Sequence, residues 1–282
     1  MSAVIIDKYM VHYEMLGRGR PIIFLHSWLG SWRTWMPTME VAADRYRVMA
    51  LDFWGFGDSA TPPDGLAIRG YVDQLNGFVE KLGIVTPHLV GHGLGGMVAV
   101  RAASEQPERY GKVLIVGTPL LGTAVRTSGG GALGRLLGRS GTNNEQWIKL
   151  VRQAAGAASD AANAGFGEIM EDIEATDPHT VTQVINELAG VDVRGDVARL
   201  ACPLLAIYGG RDTILPTERG AEIEEVEGRF RQVLVFEKSG HFPFLDQPNQ
   251  FARAVIEFFS DTDKVIELKA EWKRRVSQRE FL

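Results

Sequence analysis

A series of short apolar runs, separated for the most part by segments with helical spacing, sets the tightest limit on how this chain can fold. In order they are AVIID, YMVHYEML, PIIFLH (21–26), YRVMALD (46–52), HLVGHG, KVLIVG, PLLAIYGG and QVLVFE. Runs this short and this rich in Val, Ile and Leu suit strands, and those without polar alternation suit strands covered on both faces. The clearest intervening segment is IRGYVDQLNGFVEKLG (68–83). It carries Ile68, Tyr71, Val72, Leu75, Phe78, Val79 and Leu82 on one face and stops at Gly83, as a glycine-terminated amphipathic helix does. SWRTWMPTMEVAAD, LGGMVAVRAASEQ, TERGAEIEEVEG and QPNQFARAVIEFFSD read as further helices, the regularity of the first left open by Pro37. Strands alternating with helices predict an α/β protein, with a mostly parallel central sheet and helices on both faces.

Residues 120–195 break this alternation. They hold no strand signal and read as helical pieces, NEQWIKLVRQAAGAA and HTVTQVINELAG among them. They predict an inserted helical cap on a core built from 1–119 and 196–262, either a mobile entrance or a permanently packed subdomain. The glycine-rich LGTAVRTSGGGALGRLLGRSG (121–141) would cost much entropy to order. The tail DKVIELKAEWKRRVSQREFL (263–282) places Val265, Leu268, Trp272 and Val276 near one face. It predicts a C-terminal amphipathic helix packed on the parent domain or on a second subunit, so a homodimer is one assembly to expect.

Composition narrows the function classes. A length of 282 residues accommodates one α/β domain with an insertion, and a net charge of −5 gives no reason to expect nucleic acid or an anionic membrane as partner. The single cysteine, Cys202, excludes an internal disulfide framework and fits a reducing compartment. MSAVIIDKYM lacks the basic start and the long apolar stretch of a secretory leader, and no run approaches the roughly eighteen apolar residues of a membrane span. The expectation is a cytoplasmic protein acting on a small molecule. No Cys/His cluster suggests a metal. GHGLGG lacks both the ending of a phosphate loop and the spacing of a dinucleotide site, so no cofactor is implied.

Chemistry concentrates in three places. LVGHGLGG (89–96) runs from a strand through a tight glycine turn into a helix, the setting that exposes a nucleophile, yet its central residue is Gly93. Gly91, Gly95 and Gly96 supply the close strand–helix approach such an elbow needs. Asp212, in GGRD, can accept a hydrogen bond from one ring nitrogen of a histidine and fix its tautomer. His241, in SGHFPF, would then aim its other nitrogen at the elbow. Taken singly, Asp212 can equally cap a turn and His241 can equally be a surface histidine.

Order and context point further. LHSWLGSW, DFWGFGDSA, GHGLGG, GGRD and GHFPFLDQP, each at the end of a strand-like run, together resemble the landmarks of the α/β-hydrolase fold superfamily over nearly the whole chain. The resemblance implies an oxyanion loop after the third strand and a turn at Asp52, Gly55, Gly57 and Ser59. It makes Gly93 the nucleophile position, Asp212 the acid and His241 the base, with the backbone N–H groups of Trp28 and Leu94 as the oxyanion hole. It implies a hydrolase of carboxylic esters, lactones or C–C bonds.

The chain departs from that pattern twice: glycine stands at position 93, and His26-Ser27 replaces the expected His-Gly. Glycine cannot attack a carbonyl, so an acyl-enzyme at 93 is excluded, as is an aspartate nucleophile of the dehalogenase or epoxide-hydrolase kind. Three readings stay open. The chain can be a hydrolase deprived of its serine, left with about 10³–10⁴ of residual catalysis over water. It can be an enzyme in which His241 activates a water or takes a proton from a substrate hydroxyl or α-carbon. It can also be a ligand-binding or accessory protein on the same scaffold. Ser27 can narrow the pocket, hydrogen-bond the substrate, or act as a relocated nucleophile reaching His241 from the oxyanion side. Trp28, Phe53 and Trp54 suggest an apolar or aromatic substrate pocket, with Phe53 and Trp54 as substrate contacts and Trp32 and Trp35 as core. Arg126, Arg135 and Arg139 form either a solvated basic face or a contact for an anionic substrate.

Overall fold

The computed structural model describes residues 2–28, 30–122, 149, 164–215, 223 and 231–260. The N-terminal half supplies strands β1 (Ser2–Ile6), β2 (Tyr9–Leu16) and β3 (Arg20–Leu25), helix α1 (Met36–Ala42) and strand β4 (Tyr46–Leu51). Helix α2 (Ile68–Lys81), strand β5 (His88–His92), helix α3 (Leu94–Glu105) and strand β6 (Val113–Val116) follow. Then come helices α4 (Ala164–Ala175), α5 (Pro178–Leu188) and α6 (Arg194–Arg199) and strands β7 (Leu204–Gly209) and β8 (Arg231–Phe236). Helices α7 (Pro243–Asp246) and α8 (Pro248–Phe259) close the described chain. Each apolar run named above is a strand.

The strands form one sheet in the order β1-β2-β4-β3-β5-β6-β7-β8. Only β1 and β2 run antiparallel to their neighbours; from β4 to β8 the pairing is parallel. The connection from β3 runs to one side, to β4, and the chain then returns to lay β5 on the other side of β3. Right-handed crossovers in opposite directions place their helices on opposite faces of a sheet. Accordingly α1 packs on α8, while α2 and α6 pack on α3. The reversal opens a crevice beyond the carboxyl ends of β3 and β5, the place where open α/β sheets bind ligands.

Pro37 opens a helix rather than interrupting one. Trp32–Trp35 is a turn of 3-10 helix capped by Ser31, whose hydroxyl accepts the Arg33 N–H at 3.1 Å. Pro37 falls in the first turn of α1, where a missing N–H leaves no helical bond unmade.

The loop after β3 is anchored on Asp52, a fully buried carboxylate at the end of β4. Asp52 accepts the Trp32 N–H at 2.7 Å and the Asp58 N–H at 3.0 Å, and pairs with His12 Nδ1 at 2.8 Å. The Asp52 hydrogen bond raises the His12 pKa above its ordinary 6.5, against the opposing effect of burial. A raised folded value means that the stability from this pair is complete below pH ~6.5 and is lost as the pH climbs through the folded value. Asp52→Ala would remove the acceptor of the Trp32 and Asp58 N–H groups and of the buried His12 Nδ1. It is expected to cost about 3–5 kcal/mol, read as a fall in the urea midpoint with unchanged slope.

The two described ends of the 120–195 stretch meet: Leu121 and Asp192 pair as an isolated bridge, and the Gly122 N–H donates to the Val191 carbonyl at 2.7 Å. Within that stretch, Asp172 of α4 receives Arg33 Nη1 at 3.0 Å and the Ser31 hydroxyl, tying α4 to the loop after β3. Arg126, Arg135 and Arg139, the predicted helix over 263–282 and nearly all of TERGAEIEEVEG lie outside the described residues. Among the described residues, no helix is long and apolar enough to cross a membrane.

Candidate active site

The elbow forms where β5 meets α3. Gly93 adopts φ +51° and ψ −112°, a region that strains any residue with a Cβ. Gly95 lets helix and strand close up, since a Cβ there would lie 2.2 Å from the Leu25 carbonyl oxygen on β3. Leu94 opens α3, so its N–H belongs to the unpaired positive end of a twelve-residue helix. The turn has the conformation for presenting a side chain into the crevice and has no side chain to present.

The facing wall comes from the loop after β3. His26 is fully buried, and its Nε2 accepts the Phe53 N–H at 2.8 Å. The proton therefore sits on Nδ1, which donates to the Ser27 carbonyl at 2.7 Å. Burial lowers the His26 pKa, against the pull of Asp52, so the ring stays neutral and this bonding pattern is fixed. Ser27 is thereby held at the crevice with its hydroxyl accepting the Leu94 N–H at 3.4 Å. A Cβ added to Gly93 would lie 2.3 Å from Ser27 Oγ and 3.1 Å from Ser27 Cβ. The space in which an elbow side chain begins is taken by the hydroxyl of Ser27.

The third component sits across the sheet. Asp212 follows β7 in a tight turn and accepts the Ile214 and Leu215 N–H groups on Oδ1, at 2.8 and 2.9 Å. Its Oδ2 meets His241 Nδ1 at 2.7 Å. The Asp212 side chain is inaccessible to solvent, while that of His241 retains 10% exposure. With Nδ1 committed to the carboxylate, Nε2 is the nitrogen left for proton transfer. His92 packs behind the His241 ring at a centroid distance of 4.8 Å, its pKa held far below the ordinary value by burial and by His241. A neutral His92 adds no charge that would compete with a proton on His241.

One pocket joins these parts. Ser27, Trp28, Gly93, Leu94, Gly117 and His241 line it, with Met97, Pro119, Leu188, Ile214 and Leu215 completing an apolar wall. The geometry thus brings Ser27, Trp28, Gly93, Leu94 and His241 to one pocket, with Asp212 hydrogen-bonded behind the histidine. Phe53 and Trp54, expected as substrate contacts, do not line it. Phe53 packs between His26 and Tyr71, and Trp54 packs edge-on against Tyr9. Both rings are buried in the core. Trp35 is fully buried. No local signal pointed to Leu188, Ile214 and Leu215 as walls. Only the glycine ending KVLIVG hinted at Gly117, whose φ is +48°.

His12, Asp52 and Asp58 bring possible ligand atoms within 4.8 Å of one another. His12 Nδ1 and the Asp52 carboxylate are already committed to the loop anchor described above.

A parallel sheet with helices on both faces, and a histidine–carboxylate pair facing a glycine elbow at the strand ends, defines the class: an α/β enzyme scaffold of the hydrolase type. Comparison with known proteins agrees. The model of the alpha/beta hydrolase family matches residues 22–254. A pimeloyl-[acyl-carrier protein] methyl ester esterase of Aeromonas hydrophila is 28% identical over 262 residues, covering 88% of this chain and 98% of its own. A hydrolase from Pseudomonas aeruginosa PA01 superposes with a TM-score of 0.80 at 19% identity, covering 92% of this chain and 98% of its own. The enol-lactonase from Burkholderia xenovorans LB400 superposes with a TM-score of 0.78 at 18% identity, covering 92% and 100%. This chain belongs to the alpha/beta hydrolase family.

Proposed function

We propose that this protein hydrolyses small carboxylic esters or lactones through the His241–Asp212 pair, with no nucleophile on the elbow. The observation that carries this reading is the 2.7 Å bond from His241 Nδ1 to the buried Asp212, which leaves Nε2 as the basic nitrogen of a pocket-lining histidine. A carboxylate in that position orients the ring and stabilises the imidazolium formed when Nε2 takes a proton. The backbone N–H groups of Trp28 and Leu94 serve as the oxyanion hole, the second at a helix N-terminus that favours negative charge. Trp28, Met97, Leu188, Ile214 and Leu215 favour an apolar acyl group. Leu188 comes from α5, which supports residues 120–195 as a cap that helps shape the acyl site. The esterase and lactonase named among the similar proteins act on bonds of this class.

The test is a panel of activated esters and lactones of graded acyl length, assayed with the unaltered chain and with His241→Ala. Loss of the general base is expected to lower kcat by about 10²–10⁴. Absence of any His241-dependent hydrolysis across the panel would overturn the proposal.

A further inference from the structure

Positions 27 and 93 hold each other's expected residues. The resemblance to the α/β-hydrolase landmarks implies glycine after His26 and a hydroxyl-bearing side chain on the elbow, and the chain has Ser27 and Gly93. The structure gives this a steric meaning. A Cβ on residue 93 and the side chain of Ser27 compete for one volume, with the hydroxyl only 2.3 Å from where that Cβ would stand. With the Ser27 hydroxyl in its present position, glycine at 93 leaves it the space that a Cβ there would take.

Resting on the hydrolase reading above, we propose that Ser27 Oγ is the nucleophile, delivered from the loop after β3 in place of an elbow serine. Three features of its setting fit that role. Ser27 is buried and lines the same pocket as His241. Its Oγ receives the first N–H of α3, at 3.4 Å, so the positive helix end favours the oxygen as it gains negative charge. Its backbone is held by the neutral His26, whose own bonds to Ser27 and Phe53 tie the ends of β3 and β4 together. A hydroxyl whose carrier is locked on both sides is a preorganised group rather than a loosely solvated one.

The chemistry balances. Ser27 Oγ bonds to the acyl carbon while its proton passes to His241 Nε2 and the carbonyl pair moves onto oxygen. The long bond from the Leu94 N–H is transferred to that oxyanion, which the Trp28 N–H also receives; catalytic hydrogen bonds commonly tighten only when the substrate is present. Collapse of the intermediate breaks the bond to the alcohol, which leaves with the proton from His241. A water then attacks the Ser27 ester with His241 again as base, releasing the acid and restoring the hydroxyl. Asp212 stays ionised throughout.

A fluorophosphonate that labels nucleophilic serines, followed by proteolysis and mass spectrometry of the full chain, reads the assignment without knowledge of the natural ester. The expected adduct lies on Ser27, is absent from Ser27→Ala, and is strongly reduced in His241→Ala. In the ester assay Ser27→Ala is expected to lose about 10³-fold or more in kcat, with its thermal midpoint reported alongside, and Ser27→Cys to accumulate a thioester detectable as added acyl mass. Hydrolysis that depends on His241 yet survives Ser27→Ala within a few-fold, with no label on Ser27, would overturn the nucleophile and leave the hydrolase standing, with water as the attacking group. Label on Ser27 with no ester turned over would support the nucleophile and count against the substrate class. Neither label nor His241-dependent turnover would overturn both.

Discussion

Exchanging the two residues, Ser27→Gly together with Gly93→Ser, is expected to yield an active esterase with its nucleophile on the elbow, whereas Gly93→Ser alone is expected to yield a poor one. The single change inserts a Cβ 2.3 Å from Ser27 Oγ and 3.1 Å from Ser27 Cβ. The hydroxyl can rotate away, but the Cβ of Ser27 is fixed by its backbone, and contact at 3.1 Å forces one wall to move. The new residue also inherits φ +51°, a strain of about 1–3 kcal/mol on its own. The single variant should therefore melt several degrees lower and hold its new hydroxyl out of line with His241. Removing the Ser27 side chain clears the space and leaves only the backbone strain, which elbow nucleophiles ordinarily carry. We expect the double variant to exceed Gly93→Ser by about 10²–10³ in kcat, since a small misplacement of a reacting group costs on that order. The fluorophosphonate adduct should appear at position 93. Equal activity in the single and double variants would show that the two side chains do not compete.

Asp212→Asn should disable the site while leaving it built. Asp212 uses Oδ1 for the Ile214 and Leu215 N–H groups and Oδ2 for His241 Nδ1. An asparagine can keep Oδ1 on the two backbone donors, so the turn after β7 survives. It then directs its NH₂ at Nδ1, which must accept, and the ring proton moves to Nε2. The nitrogen that should receive the nucleophile's proton now carries one. The same change in serine proteases lowers kcat by about 10⁴ through the wrong tautomer, and a fall of about 10³–10⁴ is expected here. The thermal midpoint should move little beside that loss, which separates the effect from unfolding. A loss under tenfold would show that His241 is oriented by other contacts and that its pair with Asp212 is structural.

The described strands and most of the described helices were legible because their signals are local. The run HLVGHG is apolar enough to be buried on both faces and occupies the centre of the sheet as β5. The helix over 68–81 follows from spacing alone, and Gly83, at φ +60°, ends it as the sequence suggests. The place of Pro37 was left open for an equally local reason, because whether a proline opens or interrupts a helix turns on a boundary of one or two residues.

The sequence by itself determined the alternation of strands and helices, the glycine elbow, and the identities of Asp212 and His241 as a pair in the right order. The alternation and the elbow follow from side-chain periodicity and from turn residues that act within a few positions, and the order of Asp212 and His241 from the resemblance to the hydrolase landmarks. Tertiary structure decided which walls meet. Phe53 and Trp54 follow a strand that ends at the crevice, but their rings pack into the core against His26, Tyr71 and Tyr9. Ser27 touches Leu94 across 67 positions because the chain reverses direction at β3 and lays β5 beside it. The competition between the Ser27 hydroxyl and a side chain at 93 exists only in that crevice. Sequence spacing carries no record of it, since it depends on strand order and on an approach of a few ångströms between two backbones.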